Sequence, residues 1–410
     1  MKRFGKVKLI ALAMAAILAF SVVPSIPAQA KDRSSAIAVG IDVSRYQGNI
    51  DWNAVAASGV TFAFIRVGTL NTGIDPYFAQ NMVGAAAAGI KTGVYIYSGA
   101  TDFVRAQQEA AFVLSAIEPY IVSMPVVIDM ETSYQRNVPA AQLSAVANYF
   151  CMLIEASGYY PMVYSNKWFF SNRLNGVVYD KWVAQYYSSC LIEDAAVWQC
   201  MDTWRVPGIA GNVDLDYLYK DYSKLIIANG FINRKGATYF YENYKMKKDA
   251  FVTDGVNLYY VNEFGQRVEN TFYVAQGAIR YFGKDGVMAI GLQNIAGSTF
   301  FFDTAGKLMT GMQDFGIGKF YFDPLYAGAM SKGWFTVDGA SLNYADKETG
   351  MVASGLVTVD GKLYFFDPAN GDKLKVGTGA EITMIAGVPC VIGADGVVTI
   401  LQVPQTPVTP

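Results

Sequence analysis

The sequence predicts an α/β fold, a modified TIM-like β/α barrel, followed by an all-β solenoid of hairpin repeats. Three observations carry that prediction. Short apolar, β-rich runs alternate with helical stretches through the first half of the chain. A polar or aromatic residue stands near the end of each run. Beyond residue 230 the alternation stops and a period of 20 to 22 residues takes over.

The chain has 410 residues, enough for two domains or for one domain and a repeat array. It opens with a basic head (Lys2, Arg3, Lys6, Lys8), an apolar core from Leu9 to Val23, and the small-residue stretch Ala28-Gln29-Ala30. That order reads as a secretory signal over residues 1–30, and the apolar segment is short for a bilayer span. No later segment is apolar enough to cross a membrane. The expected location is therefore secreted and associated with the cell wall.

Removal of the leader leaves 28 Lys+Arg against 34 Asp+Glu, a net charge of −6. Such a balance disfavours nucleic acid as a partner. Charged residues are only 16 % of the chain, while Tyr and Phe number 27 and 25, a surface suited to a neutral ligand such as a glycan. Histidine is absent. Its absence removes Ser-His-Asp hydrolysis, Cys-His peptidases and His-ligated zinc hydrolases. Carboxylate chemistry remains, and no metal or cofactor is implied. The four cysteines, Cys151, Cys190, Cys200 and Cys390, match no metal knuckle. Cys190 and Cys200 could pair, or all four could be small buried apolar residues.

In the first half, residues 36–222, strands are expected at Ala38–Val43, Phe62–Val67, Gly93–Tyr97, Val126–Met130, Met162–Ser165, Trp182–Gln185, Ala196–Gln199 and Val213–Leu215. Helices are expected at Asp75–Ala88, Phe103–Ile117 and Ala140–Ala156, the last preceded by Pro139. Eight β segments in under 200 residues point to an abbreviated barrel; a doubly wound open sheet competes. Asp42, Arg66, Tyr97, Asp129, Glu131, Tyr164, Gln185, Gln199 and Asp214 lie at or near strand ends. In a β/α barrel those ends converge on one face.

The centre of this arrangement is Pro125-Val126-Val127-Ile128-Asp129-Met130-Glu131-Thr132. Side chains alternate along a strand, so Asp129 and Glu131 share a face, their Cα atoms roughly 6.7 Å apart. Two carboxyls that close cannot both ionise freely in a dry site. A protonated acid beside an ionised one is what acid-assisted glycoside cleavage requires. Two ordinary surface acids at a solvated strand end are the plain alternative.

The run Gly40-Ile41-Asp42-Val43-Ser44-Arg45-Tyr46-Gln47-Gly48, followed by Ile50-Asp51-Trp52, resembles the opening of glycoside hydrolase family 25, the Chalaropsis-type lysozymes. The resemblance continues through Phe64-Ile65-Arg66, Asp75-Pro76-Tyr77-Phe78, Gly93-Val94-Tyr95-Ile96-Tyr97, Asp129-Met130-Glu131, Val197-Trp198-Gln199, Val206-Pro207-Gly208-Ile209 and Val213-Asp214-Leu215-Asp216. It implies hydrolysis of the β-1,4 bond between N-acetylmuramic acid and N-acetylglucosamine in bacterial peptidoglycan. By position it makes Glu131 the general acid and Asp129 the group that orients the 2-acetamido substituent or stabilises charge on the ring. Asp42 and Asp214 match two further acidic positions of the family's cleft. A substrate-assisted route is favoured. Arg66 would hold a carboxylate ionised or bind the lactyl-peptide side of the substrate. Tyr97, Tyr164, Tyr186 and Trp198 are expected either as sugar platforms or as core residues, with Gln185 and Gln199 beside them; Trp52, Trp168 and Trp204 are expected to pack the barrel's exterior or its loops. Cys200 stands where similar sequences carry an aromatic residue. An adhesin-like protein with a retired barrel is the rival reading.

In the second half, residues 230–400, Phe231, Phe251, Phe272, Leu292, Met312, Trp334, Leu356 and Thr378 mark the period. Aromatic runs such as Thr238-Tyr239-Phe240-Tyr241 and Leu363-Tyr364-Phe365-Phe366, each followed by a turn, predict seven or eight hairpins too small to be stable singly. They resemble cell-wall-binding repeats of the choline- and glucan-binding type. A choline cage of that type needs two tryptophans, but this array holds only Trp334, and Thr299, Lys319 and Leu363 stand where a second one would be. Either these aromatics serve only the packing of hairpin on hairpin, or the repeats bind a partner, which is then expected to be wall polysaccharide before choline-bearing teichoic acid. A Pro/Thr tail closes the chain over residues 401–410.

Overall fold

The computed structural model describes residues 30–402. The leader expected over residues 1–30 lies outside them but for its last residue, as does the tail from residue 403. The chain divides into two compact units, one ending at Ile226 and one starting at Ile227. Among the described residues no helix is long and apolar enough to cross a membrane.

The first unit is a closed barrel. Its strands are β1 (Ala38–Val43), β2 (Phe62–Thr69), β4 (Lys91–Tyr97), β5 (Val126–Asp129), β6 (Pro161–Asn166), β7 (Asp180–Ala184), β8 (Ala195–Trp204) and β9 (Val213–Leu218), with a two-residue β3 (Gly73–Ile74) hairpinned onto β2. The ring closes through β1–β2 pairing. Apart from β3, neighbours from β1 to β8 run parallel, and β9 is antiparallel to both of its flanking strands, β8 and β1.

Among the described residues five α-helices pack outside this ring: α1 (Trp52–Ala57), α2 (Phe78–Ala87), α3 (Phe103–Ile117), α4 (Ala140–Ala156) and α5 (Lys167–Asn172). Local chemistry sets their starts. Asp51 caps α1, Asp102 caps α3 and Asn166 caps α5 through side-chain oxygens that accept backbone N–H groups. The helix expected from Asp75 begins three residues later, because the Asp75 carboxylate is used elsewhere: it accepts from the Tyr77 N–H and from the Arg66 guanidinium. The short α1 and α5 were beyond the pattern, each being under two turns.

Strict alternation divides the strand residues between two cores. Ile41, Ile65, Val94, Ile128, Val163, Val183 and Trp198 face outward to the helices. Phe62, Phe64, Val127, Met162, Tyr164, Trp182, Val197 and Leu218 fill the interior. Two glycines make room for inward phenylalanine rings. A Cβ on Gly40 would lie 2.3 Å from the Phe62 ring, and one on Gly93 2.5 Å from the Phe64 ring.

The second unit contains, among the described residues, eight antiparallel hairpins. Their first strands begin at Gly230, Ala250, Thr271, Gly291, Gly311, Gly333, Gly355 and Ile382. Several turns are two-residue pairs with positive φ, such as Lys235-Gly236, Gln276-Gly277 and Asp360-Gly361, the pattern that matches strand twist in tight hairpins. Successive hairpins interlock by aromatic edges: Phe231 on Tyr259 at 4.9 Å, Phe272 on Phe300 at 5.1 Å, and Trp334 on Tyr364 at 5.2 Å. Seven of the eight period markers fall on first strands. Thr378 does not: its register equivalent is Ile382, because additional residues precede the last hairpin.

Candidate active site

The inward residues at the C-terminal ends of the parallel strands open into a cleft of about 730 Å³. Asp42 comes from β1, Arg66 from β2, Tyr95 and Tyr97 from β4, Asp129 from β5 with Glu131 just beyond it, Tyr164 from β6, Trp182 from β7 and Gln199 from β8. Asp214 reaches the same mouth from the start of β9, since an antiparallel strand brings its first residues to that rim. Asp42 stands opposite Asp214, and Tyr97 and Tyr164 flank Asp129, in register.

The acids differ in burial. Asp129 is 4 % exposed, and its Oδ1 is buried without a hydrogen-bond donor. Burial, then the charge of Glu131, pushes its carboxyl well above the usual range, with Arg66 pulling the other way. Glu131 is half-buried, and loss of hydration raises its carboxyl as well. Asp42 is held well up by burial and by the charges of Asp214 and Asp216, opposed by a hydrogen bond from Gln199. Asp214 is pushed up to about 6 by burial first and by Asp202 second.

Hydrogen bonds fix one wall of the cleft. Gln199 donates from Nε2 to Asp42 Oδ2 at 2.7 Å, and its Oε1 accepts from the hydroxyls of Tyr164 at 2.9 Å and Tyr186 at 3.1 Å. Trp182 forms the floor, stacked on Phe64 at 4.4 Å and edge-on to Tyr164 at 4.5 Å. The segment after Glu131 is tied down by Gln135, which accepts from the Thr132 N–H and donates to the Ala100 carbonyl. The loop carrying Ala100 is held by the buried Glu109, which accepts from Ser98 Oγ, the Gly99 N–H and Arg105.

Arg66 lines the cleft, but its direct partner is Asp75, at 2.9 Å from Nε and 2.6 Å from Nη2. Tyr97 and Tyr186 are 37 % and 50 % exposed and offer ring surface to a ligand. Tyr164 is nearly buried, and its hydroxyl is committed to Gln199.

Two expected residues are not in the cleft. Trp198 is fully buried among the outward residues, its indole N–H bonded to the Gln185 carbonyl at 2.7 Å. It lies between the inward Val197 and Gln199, so alternation turns it to the helices and it is no sugar platform. Gln185 follows the inward Ala184 and likewise turns away. Its side chain accepts from the Leu191 N–H and donates to the Ser189 carbonyl, bracing its own loop. Cys200 shares the outward face of Trp198, so it does not wall the cleft. All four cysteines are buried and unpaired.

Sequence reasoning missed Trp182, Asp202 and Asp216. Trp182 and Asp216 were legible from alternation, lying two residues from Ala184 and Asp214 on the inward faces of their strands. Asp202 was not, because β8 shifts register against β9 between Gln199 and Met201 and again before Trp204. Past those irregularities counting by twos fails.

Residues 41–209 match the family described as Glycosyl hydrolases family 25. The uncharacterized protein YegX of Escherichia coli is 32% identical over 188 residues, which cover 43% of this chain and 68% of that protein. The autolytic lysozyme of Clostridium acetobutylicum is 30% identical over 197 residues, 47% of this chain and 58% of the lysozyme. A solved structure of a family 25 glycosyl hydrolase from Bacillus anthracis aligns at 20% identity with a TM-score of 0.42, over 48% of this chain and 95% of that one.

Proposed function

This chain belongs to glycosyl hydrolases family 25, and from that membership we propose that it cleaves the β-1,4 bond between N-acetylmuramic acid and N-acetylglucosamine, with Glu131 as proton donor. It is a glycoside hydrolase of the lysozyme kind, acting on peptidoglycan. The observation that supports the finer reading is the Asp129/Glu131 pair. Both carboxyls are raised by burial, one deep in the barrel and one at its mouth.

A raised Glu131 keeps its proton where an ordinary glutamate has lost it, and its partial exposure leaves that proton within reach of a leaving glycosidic oxygen. Asp129, beneath it, orients the 2-acetamido group. The acetamido oxygen then bonds to the anomeric carbon as the bond to the leaving sugar breaks, and Glu131 gives its proton to the departing oxygen. Water opens the cyclic intermediate and returns a proton to Glu131. Tyr97 and Tyr186 lie against the apolar faces of the sugars. The leader exports the enzyme, and the hairpin repeats hold wall polysaccharide, which raises the local concentration of cleavable bonds even when each repeat binds weakly.

The test is digestion of purified peptidoglycan, borohydride reduction of the products and mass spectrometry of the new ends. Muramitol ends are expected. Glucosaminitol ends would assign the other glycosidic bond, and free stem peptides would defeat a glycosidase reading altogether. Glu131→Gln is expected to abolish release while the wall-bound fraction stays unchanged. Normal clearing by that variant would remove Glu131 from its role.

A further inference from the structure

Asp216 belongs to no step described so far, yet it is fully buried inside the barrel, two residues below Asp214 on the inward face of β9. Its register partners are Gly40 and Gln199. Oδ1 accepts from the Trp182 indole N–H at 2.7 Å. Oδ2 is buried with no donor. No lysine or arginine pairs with it among the described residues. Its carboxyl neighbour is Asp42, on the same inward face of β1 two residues beyond its register partner Gly40.

We propose that Asp216 is a positioning residue that carries a proton and donates it to Asp42, so that Asp42 meets the cleft as a carboxylate fixed between two donors. This deepens the reading above and rests on it. Two ionised carboxylates are acceptors only, and placed face to face in a dry interior they repel with nothing between them. One proton satisfies the whole group. Trp182 donates to the carbonyl oxygen of Asp216, the Asp216 hydroxyl donates to Asp42, and Gln199 donates to the remaining Asp42 oxygen.

The direction of sharing follows from the surroundings. The Gln199 amide is oriented by two tyrosine hydroxyls on its Oε1, so it presents N–H to Asp42 and favours charge there. Asp42 is 7 % exposed and lines the cleft, whereas Asp216 is 0 % exposed and does not. The charge belongs on the carboxyl nearer water, and the proton on the one without it. The other groups facing the pair do not supply a competing cation: Tyr95 from β4, Asp129 from β5, Tyr164 from β6, Asp214 from β9, and Arg66 from β2, which Asp75 already holds. Burial raises both members, while their mutual contact lowers Asp216 and raises Asp42; the Gln199 donor and the access of water to Asp42 reverse that order.

The test compares Asp216→Asn with Asp216→Ala in the full chain. An asparagine accepts from Trp182 and donates to Asp42 as the protonated acid does, so Asp216→Asn is expected to keep kcat within about threefold with an unshifted pH profile. Alanine removes the donor, and kcat is expected to fall about 10- to 100-fold with KM little changed. Infrared spectroscopy at neutral pH reads the proton without turnover: a protonated-carboxyl C=O component beyond that of Glu131 is expected in the native protein, and the band is expected to diminish by that component in Asp216→Asn. That readout stands whatever polymer the enzyme cleaves, so it separates this inference from the substrate reading. Should the asparagine variant lose as much activity as the alanine variant, or the band persist undiminished in it, the inference is overturned. Should the alanine variant not fold, the asparagine profile and the band decide.

Discussion

Replacement of Gln199 by leucine isolates what the polar wall of the cleft contributes. In the native chain the amide gives Asp42 a 2.7 Å hydrogen bond and receives the hydroxyls of Tyr164 and Tyr186. Leucine is similar in length and apolar, so it keeps volume while removing all three bonds. A hydrogen bond to a charged acceptor contributes about 1.5–3 kcal/mol. Its loss at Asp42 therefore predicts a fall in kcat/KM of about 10- to 100-fold. The buried Tyr164 hydroxyl, left without an acceptor, adds a stability loss of about 1–3 kcal/mol. The Gln199 bond is also what opposes the upward push on the Asp42 carboxyl. Without it Asp42 protonates at higher pH, and the acidic limb of the activity profile moves toward neutrality. Initial rates of clearing of purified walls between about pH 4 and 8 read both effects. A variant within twofold of the native rate, with its acidic limb in place, would show that Asp42 needs no fixed donor at Oδ2.

Arg66→Met leaves the buried Asp75 carboxylate without its cation, and removal of one partner from a buried pair costs about 3–5 kcal/mol; a urea midpoint equal to the native one would contradict that pairing. The same change takes from Asp129 the one charge that lowers its carboxyl, so Asp129 is expected to titrate still higher, read by pH-dependent carboxyl NMR shifts. Asp214 links stability to pH. Its folded value of about 6 lies above the ordinary 3.8, so the native chain holds a proton that the unfolded chain has released. Stability from this group is complete below about pH 4 and is lost as pH rises through about 6, by up to about 3 kcal/mol. Asp214→Asn is expected to flatten that part of the profile in denaturant unfolding, and an unchanged slope would assign the pH dependence elsewhere.

The barrel was legible because each strand is a short apolar run with a period of two, and because Phe103–Ile117 and Ala140–Ala156 carry long helical patterns. Most of the site followed from the same rule: Asp42, Asp129, Tyr164, Gln199 and Asp214 stand on the inward face of their strands. Trp198 and Gln185 were misplaced because position near a strand end was weighed and facing was not. Each stands directly beside an inward neighbour, and one step along a strand reverses direction. The Arg66–Asp75 pair and the Glu109 clamp were invisible for a different reason. They join charged residues across loops, where no periodicity announces a partner. In the repeats the period held while hairpins followed one another at constant spacing, and it failed at Thr378, where extra chain precedes the final hairpin.

The reversed course of β9 has a consequence for how this site tolerates change. Asp42 and Asp129 stand at the ends of parallel strands, so their height is set by what comes before them in the sheet. Asp214 instead begins one, and its height depends on the excursion at residues 205–212 that turns the chain back from β8. Lengthening or shortening that excursion slides β9 along its neighbours. A one-residue slide would swing Asp214 and Asp216 out among the helices together. A two-residue deletion would bring Asp216 up into the place of Asp214 and keep a carboxyl at the rim, whereas a two-residue insertion would carry Asp214 down into the place of Asp216 and leave the rim without one, so even changes keep these carboxyls facing inward and odd changes turn them out.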